Sequence, residues 1–489
     1  MKFVGIALYL VALLVIGVVA SRRVKDLRDY FAANKSLGFL AVAFSARATG
    51  ESAWLLLGLT GMGAALGVKA LWVVLGEVLG VAAAWMLMSR RFHRLTTAYD
   101  AITIPDYLER RFDDKTQNLR RVAAIALVIF VTIYVSAQID ATGSAFESFL
   151  GWNYYTGALV GFAVVMAYTV SGGFVAVVWS DVFQGSLMVL GLAFLPVLAL
   201  IHIGGFGPLM ETLRSIDPDL LSLAGSQGWT ATGLASILGL SLIGLGFLGS
   251  PQIFVRFLAL RDENEINRGT WTAILFTVIA DTGAVVIGLC GRAILTGADL
   301  GNGGQDVLPL LVDTMLPAFL VGLYIAIVLS ATMSTVDSLL VVASSAYVRD
   351  YHQQIKNPGM SDESLLKMSR NVTFLLATVA LAIAMTVAVT TPGRTIFWFV
   401  IFGWSGIAAT FCPAMILSLS WDRFNARGAM GAMISGFFAV PLFKFGGTAL
   451  PGFAGVFFSE LGELAPAFLL SMVVGAVLTL QSPKKASAT

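Results

Sequence analysis

Stretches of about twenty apolar residues recur along the whole of this 489-residue chain, and each is long enough to cross ~30 Å of hydrocarbon. Little else can be built from such a pattern. With no water in the bilayer core, each backbone N–H and C=O must be satisfied within the protein, and helices of this length do so. Only 12% of the residues are charged, where a soluble domain carries about 25%. The chain therefore reads as an all-α polytopic membrane protein. Its first run, Phe3 to Ala20, follows only Lys2 and lacks a small-residue cleavage site before Arg22 and Arg23, so it is expected to be a retained helix and not a signal peptide.

Thirteen spans are expected, at 3–20, 37–65, 70–89, 120–147, 153–171, 176–203, 230–258, 270–295, 318–347, 372–391, 396–419, 427–446 and 463–481, with a short apolar helix at 307–316 outside or on the bilayer. Basic residues collect on one side of this arrangement. With the N-terminus outside, the inner loops hold 23 Lys and Arg, beginning with Arg22, Arg23, Lys25, Arg28 and Lys35 and ending with Lys484 and Lys485. The outer side holds 5: Lys2, Lys69, Arg214, Arg394 and Lys444. The remaining 3, Arg47, Arg256 and Arg292, lie within or at the ends of spans. The N-terminus is thus expected outside and the C-terminus in the cytoplasm.

Two spans are interrupted. The second carries Arg47, Gly50 and Glu51 within "SARATGESAW", and the seventh carries "GLGFLGSP", Gly244 to Pro251. Glycine weakens a helix, and proline removes a donor and clashes with the turn before it. Broken helices at corresponding places in two halves mark the ion and substrate sites of transporters. The breaks lie five spans apart. This fits one transmembrane domain over 1–489, with an extra helix at 3–20, repeats at 37–203 and 230–419, and two further helices at 427–481. Small residues also permit close helix packing, and Arg47 and Glu51, four apart, could form a structural ion pair. Glu77, Asp140, Asp181, Asp281 and Asp337 are further acids within or bordering spans, where charge is expensive and is paired or functional.

On the ninth span Ser334, Thr335, Asp337 and Ser338 group hydroxyls and a carboxylate on one helical face. Hard oxygen ligands suit a small hard cation, although Ser and Thr also bond back to their own helix. His93, His202 and His352 lie at span ends or in loops, without haem or metal-site spacing, and no "GxxxxGK[ST]" loop is present. Cys290 and Cys412 give no metal-site or disulfide pattern. These features argue against a redox enzyme and an ATP-driven pump. The net charge of +2 implies no nucleic-acid partner.

"SGGFVAVVWSDVFQG" (171–185) and "ATMSTVDSLL" (331–340) resemble two signatures of the sodium:solute symporter family. "AITIPDYLERRFDDKTQNLRR" (101–121), "SAWLLLGLTG" (52–61) and "GSPQIFVRFLA" (249–259) are similar to its sodium/proline branch. The resemblance covers about residues 5 to 480. It implies about 13 transmembrane helices with a five-plus-five inverted-repeat core in a bacterial inner membrane. It also implies a sodium site from the carbonyls of Ala48, Glu51 and Ala331 and the hydroxyls of Ser334 and Thr335. Asp181 would affect cation coupling, and with Asp337 and Ser338 could hold a second cation. Ser52, Ala53, Trp54 and Tyr134 would face substrate, joined by Ile243, Phe247 and Pro251 of the second break. The branch carries an aspartate where this chain has Gly50, and a tryptophan and a tyrosine where it has Ile243 and Phe247. The expected activity is sodium-driven import of a small solute, L-proline first, with no enzymatic reaction and no organic cofactor. The alternatives are another small amino acid, carboxylate or vitamin, a proton-coupled carrier using Glu51 and Asp140, and a membrane sensor.

Overall fold

Helices that must satisfy their own backbone in lipid can only be diversified by how they break, bend and pack. The computed structural model describes residues 1–21 and 35–483. Arg22, Arg23, Lys25, Arg28, Lys484 and Lys485, which weigh in the expected orientation, lie outside the described residues. Among the described residues there is no strand beyond an isolated bridge between Leu37 and Leu260. Eleven helical stretches there are long and apolar enough to cross a membrane, against thirteen expected. The difference lies in two places. Phe39–Ala98 is one stretch of 60 residues, interrupted by a 3-10 turn at Gly67–Ala70, and Tyr154–Ala167 is apolar but short. The helix at 307–316 forms as Val307–Met315.

Local geometry explains the bends. The Tyr154–Ile203 helix kinks at Gly173, whose φ of 58° and ψ of −171° lie outside the helical region. The seventh span is helical over Ala231–Ser241, tightens into a 3-10 segment over Leu242–Leu248, and restarts at Pro251. Seven residues is long for a 3-10 run, whose hydrogen bonds are poor, and such stretches mark hinges. Glycine permits the close approach that supports it: a Cβ on Gly244 would lie 1.9 Å from the carbonyl oxygen of Gly76 on the third span.

The eleventh and ninth spans are the most enclosed, with 89% and 83% of their apolar windows buried, while only 22% of the first helix's window is. Leu8, Val11, Val15 and Val18 of that first helix face outward, as lipid-facing positions do. The two ends of the molecule differ. At the end carrying the basic loops, Arg120 bonds Asp106 and Glu109 at 2.9 Å each and Asp350 at 3.3 Å, and Arg94 holds Glu263 at 2.7 Å. Leu37 N–H donates to Ala259 at 3.1 Å and Arg261 N–H to Leu37 at 2.9 Å, tying the second span to the seventh. At the opposite end a cavity of about 630 Å³ opens between Leu66, Lys69, Asp219, Trp398, Glu460 and Glu463.

Candidate cation and substrate site

The first break is sharper than the sequence suggests. Gly50 and Glu51 stay helical, and Ser52 alone departs, with φ 50° and ψ −167°. A non-glycine residue there costs of order 1–3 kcal/mol and persists only where its surroundings enforce it. The enforcing residue is Gln138 of the fourth span. Its Oε1 accepts the Ala53 N–H at 3.0 Å, and its Nε2 donates to Ser52 Oγ at 3.3 Å. Tyr134 Oη reaches the same Oγ at 3.5 Å, and the Trp54 ring N–H donates to the Gly50 carbonyl at 3.1 Å. Sequence reasoning found Tyr134 and missed Gln138, the one amide in that span.

Against this break lies the 3-10 segment of the seventh span. Phe247 packs at a tilt against Trp404 with centroids 5.0 Å apart, and Trp404 donates its ring N–H to the Ile243 carbonyl at 3.0 Å. Tyr134 packs edge-on to Trp404 at 6.3 Å. Ser52, Tyr134, Ile243 and Phe247 thus gather around one aromatic cluster, to which Trp404, unforeseen, is central, while the Trp54 ring meets Phe397 edge-on at 6.1 Å. Pro251 does not join it. Pro251 opens the next helix and lines a small gap of about 20 Å³ with Thr103 and Ser345. A Cβ on Gly50 would lie 2.8 Å from Phe247 Cε1. Gly50 and Phe247 are therefore complementary: the ring occupies the space that a larger side chain at position 50 would need. Gly50→Ala is expected to lower transport, and Phe247→Leu in the same chain to restore part of it; equal uptake by native and Gly50→Ala proteins would show that the ring moves freely.

One turn earlier, the second span meets the ninth. Ser334 Oγ donates to the Ala48 carbonyl at 3.0 Å and Thr335 Oγ1 to the Thr49 carbonyl at 3.0 Å. Both hydroxyls also reach the Ala331 carbonyl, at 3.3 and 3.2 Å. Four of the five residues expected to hold sodium, Ala48, Ala331, Ser334 and Thr335, converge here. The fifth, Glu51, turns its side chain toward Arg47, and the additional carbonyl at this point is that of Thr49. All these groups are buried. The oxygens form a neutral, hard donor set, and the hydroxyls can rotate their protons away to present lone pairs to a cation.

Beside it stands a guanidinium. Arg256 donates to Asp181 Oδ2 at 3.1 Å, to Thr49 Oγ1 at 2.8 Å and to Ser338 Oγ at 2.5 Å, while its Nε reaches Ser45 at 3.1 Å. Ser45 donates to Asp181 at 2.6 Å, and Ser338 to Asp337 at 3.3 Å. The place expected for a second cation, between Asp181 and Ser338, holds this side chain. The remaining buried acids also find positions. Asp140 takes a two-pronged grip from Arg394 and a hydrogen bond from Tyr154 at 2.6 Å, which argues for a structural pair and against a proton relay. Arg47 bonds both Glu51 and Glu77, the latter at 3.0 Å, and Asp281 faces this group, not Arg292.

Comparisons with known proteins show what the whole chain is similar to. Residues 30–436 match the family described as the sodium:solute symporter family. The high-affinity proline transporter of Bacillus subtilis is 35% identical over 93% of this chain and 96% of its own. The sodium/proline symporter of Escherichia coli is 32% identical over 92% and 90%. A solved structure of a Na⁺-coupled sialic acid symporter, substrate-bound and outward-open, superposes with a TM-score of 0.81 over 100% of this chain and 99% of that one, at 20% identity.

Proposed function

From the premise that this chain belongs to the sodium:solute symporter family, we propose that it imports L-proline with sodium by alternating access. The observation that carries the reading is the convergence of Ser334 and Thr335 on the carbonyls of the second span, next to a break lined by aromatic residues. The chain is a multi-pass membrane transporter and not an enzyme. The relatives' names supply the solute; the arrangement of oxygens supplies a place for the ion.

Sodium, as a transported ion, would be held by the carbonyls of Ala48, Thr49 and Ala331 and the hydroxyls of Ser334 and Thr335, with the Glu51 carbonyl within the same turn. Its charge would bind the second span to the ninth, one from each proposed repeat, 37–203 and 230–419. That fixes Ser52 and the half-helix that follows. The start of a helix presents N–H groups and a positive dipole end, which favour a carboxylate. Here the Ala53 N–H rests on the amide oxygen of Gln138. A substrate carboxylate would take over this donor, leaving the Gln138 amide to hold the substrate. Trp54, Tyr134, Ile243, Phe247 and Trp404 would enclose the pyrrolidine ring. A lining this apolar suits a compact hydrocarbon body, and the same fact supports a second reading, another small apolar amino acid. Asp181 with Asp337 and Ser338 would act in coupling through Arg256. The basic loops support a cytoplasmic C-terminus and an outer N-terminus, in a bacterial inner membrane.

Coupling has a thermodynamic signature. If sodium tightens solute binding by some factor, the solute must tighten sodium binding by the same factor. Equilibrium binding of proline in sodium and in choline, and of sodium with and without proline, is expected to yield equal factors well above one. Alanine, serine and glycine as competitors separate the two readings: proline should displace labelled proline at the lowest concentration. Proline affinity equal in sodium and choline would refute the coupling.

A further inference from the structure

The transport reading uses the backbone of the second span and leaves a set of charges next to it without a role. Arg47 and Glu51 of the second span, Glu77 of the third and Asp281 of the eighth meet in the interior, each at most 1% exposed. One carboxylate oxygen from each of the three acids lies within 4.8 Å of the other two. Arg47 bonds Glu51 and Glu77 through a single nitrogen, and its face lies 4.6 Å from the Phe247 ring centre. Three carboxylates against one guanidinium leave a formal excess of two negative charges, in a compartment where even one unpaired charge is costly.

The second observation is Asp281 itself. Its carboxylate is fully buried, faces Glu51 and Glu77, and neither of its oxygens has a hydrogen-bond partner. Glu51 Oε2 is likewise without one. Buried polar atoms are almost always satisfied, so three unpartnered acceptors in a group whose carboxylates lie within 4.8 Å of one another call for a positive ligand. The donors are all carboxylate oxygens, which select hard cations and not thiophilic metals. An ion with oxygens at about 2.3–2.6 Å has opposite ligands about 4.6–5.2 Å apart, and these atoms, all within 4.8 Å of one another, are close enough to share one.

We propose that Glu51, Glu77 and Asp281 form a second cation site, separate from the hydroxyl–carbonyl site on the ninth span, for a hard metal ion of sodium or calcium size. Sodium is the ion that the transport cycle already supplies, and calcium matches the excess of two charges. The inference rests on the transport reading only for that supply. Because Glu51 belongs to the turn that leads into Ser52, an ion bound here would also brace the first break, alongside Gln138.

The test is equilibrium binding of radioactive sodium, and separately of radioactive calcium, to the purified full chain in nanodiscs. Asp281→Asn and Ser334→Ala are compared with the native protein, singly and together. Asp281→Asn is expected to bind one cation fewer per chain, Ser334→Ala to lose a different one, and the double variant to lose both. Loss of a sodium ion in Asp281→Asn identifies sodium; loss of a calcium ion that Ser334→Ala still binds identifies calcium. A Ser334→Ala protein with undiminished sodium binding beside a deficient Asp281→Asn protein would sink the ninth-span site and leave this one standing. If Asp281→Asn does not elute as a folded protein, Glu77→Gln takes its place with the same expectation. Native counts of both ions in the folded variant would overturn the proposal.

Discussion

Asp181→Ala is expected to abolish sodium-driven uptake and to cost about 3–5 kcal/mol of stability, the scale for breaking a buried ion pair from one side. Both Arg256 and Asp181 are fully buried, so the loss of the carboxylate strands a guanidinium that water cannot reach. The effect should exceed that of an ordinary pair because Arg256 joins four spans. It touches Ser45 and Thr49 on the second, Asp181 on the sixth and Ser338 on the ninth, from its own place on the seventh. Thr49 is the link to the sodium ligands, since its hydroxyl serves Arg256 and its carbonyl serves Thr335. Arg256→Lys is not expected to substitute, because an ammonium cannot offer a planar fork of donors to so many partners. Size-exclusion profiles and melting curves in detergent read the stability, and uptake reads the function. An Asp181→Ala protein that folds and transports like the native one would remove Arg256 from the account.

Ser334→Ala and Thr335→Ala should each raise the sodium concentration needed for half-maximal uptake by roughly ten- to hundred-fold, and the pair together by more. A ligand bond to a charged group is worth about 1.5–3 kcal/mol, and each 1.4 kcal/mol is about a factor of ten. The fold should survive, because each hydroxyl is replaced by a smaller apolar group and the carbonyls of Ala48 and Thr49 keep their helical positions. Maximal uptake at saturating sodium should change far less than the sodium requirement. Thr335→Ser, which keeps the oxygen and drops a methyl, should stay near native. An unchanged sodium requirement in both alanine variants would move the ion elsewhere, and the carboxylate group around Asp281 would be the first place to look.

Much of this arrangement was legible because hydrocarbon penalises exceptions. Arg47 and Glu51 stood out in an apolar run, and the second span does break beside them. Ser334 and Thr335 were found because two adjacent hydroxyls on a buried face are hard to explain by back-bonding alone. The exact hinge was not legible. Gly50 looked like the breaker, yet it stays helical, and its smallness serves the Phe247 ring. Ser52 bends because Gln138 holds it, and one amide in an apolar span forms no pattern. Trp404 was hidden for a different reason: one ring among Phe397, Trp398, Phe399 and Phe402 reads as core or lipid-facing surface. Pair identities were also beyond reach. Arg256 and Asp181 are 75 residues apart, Arg394 and Asp140 254 apart, and only the packing of the spans selects those partners. Asp281 had no assignable partner in the sequence, because the groups it faces, Glu51 and Glu77, lie on the second and third spans, far away along the chain.

The most direct test of sodium-coupled proline import is uptake of labelled proline into proteoliposomes holding only this protein. An inward sodium gradient is compared with choline in its place, at zero and at about −100 mV inside. The account predicts concentrative uptake with sodium and equilibration at most with choline. A net positive charge moving inward with the solute adds about 2.3 kcal/mol per charge per 100 mV, so the interior-negative potential should raise accumulation further. Proline uptake of equal size with choline, or none under either condition by protein that binds sodium, would contradict it.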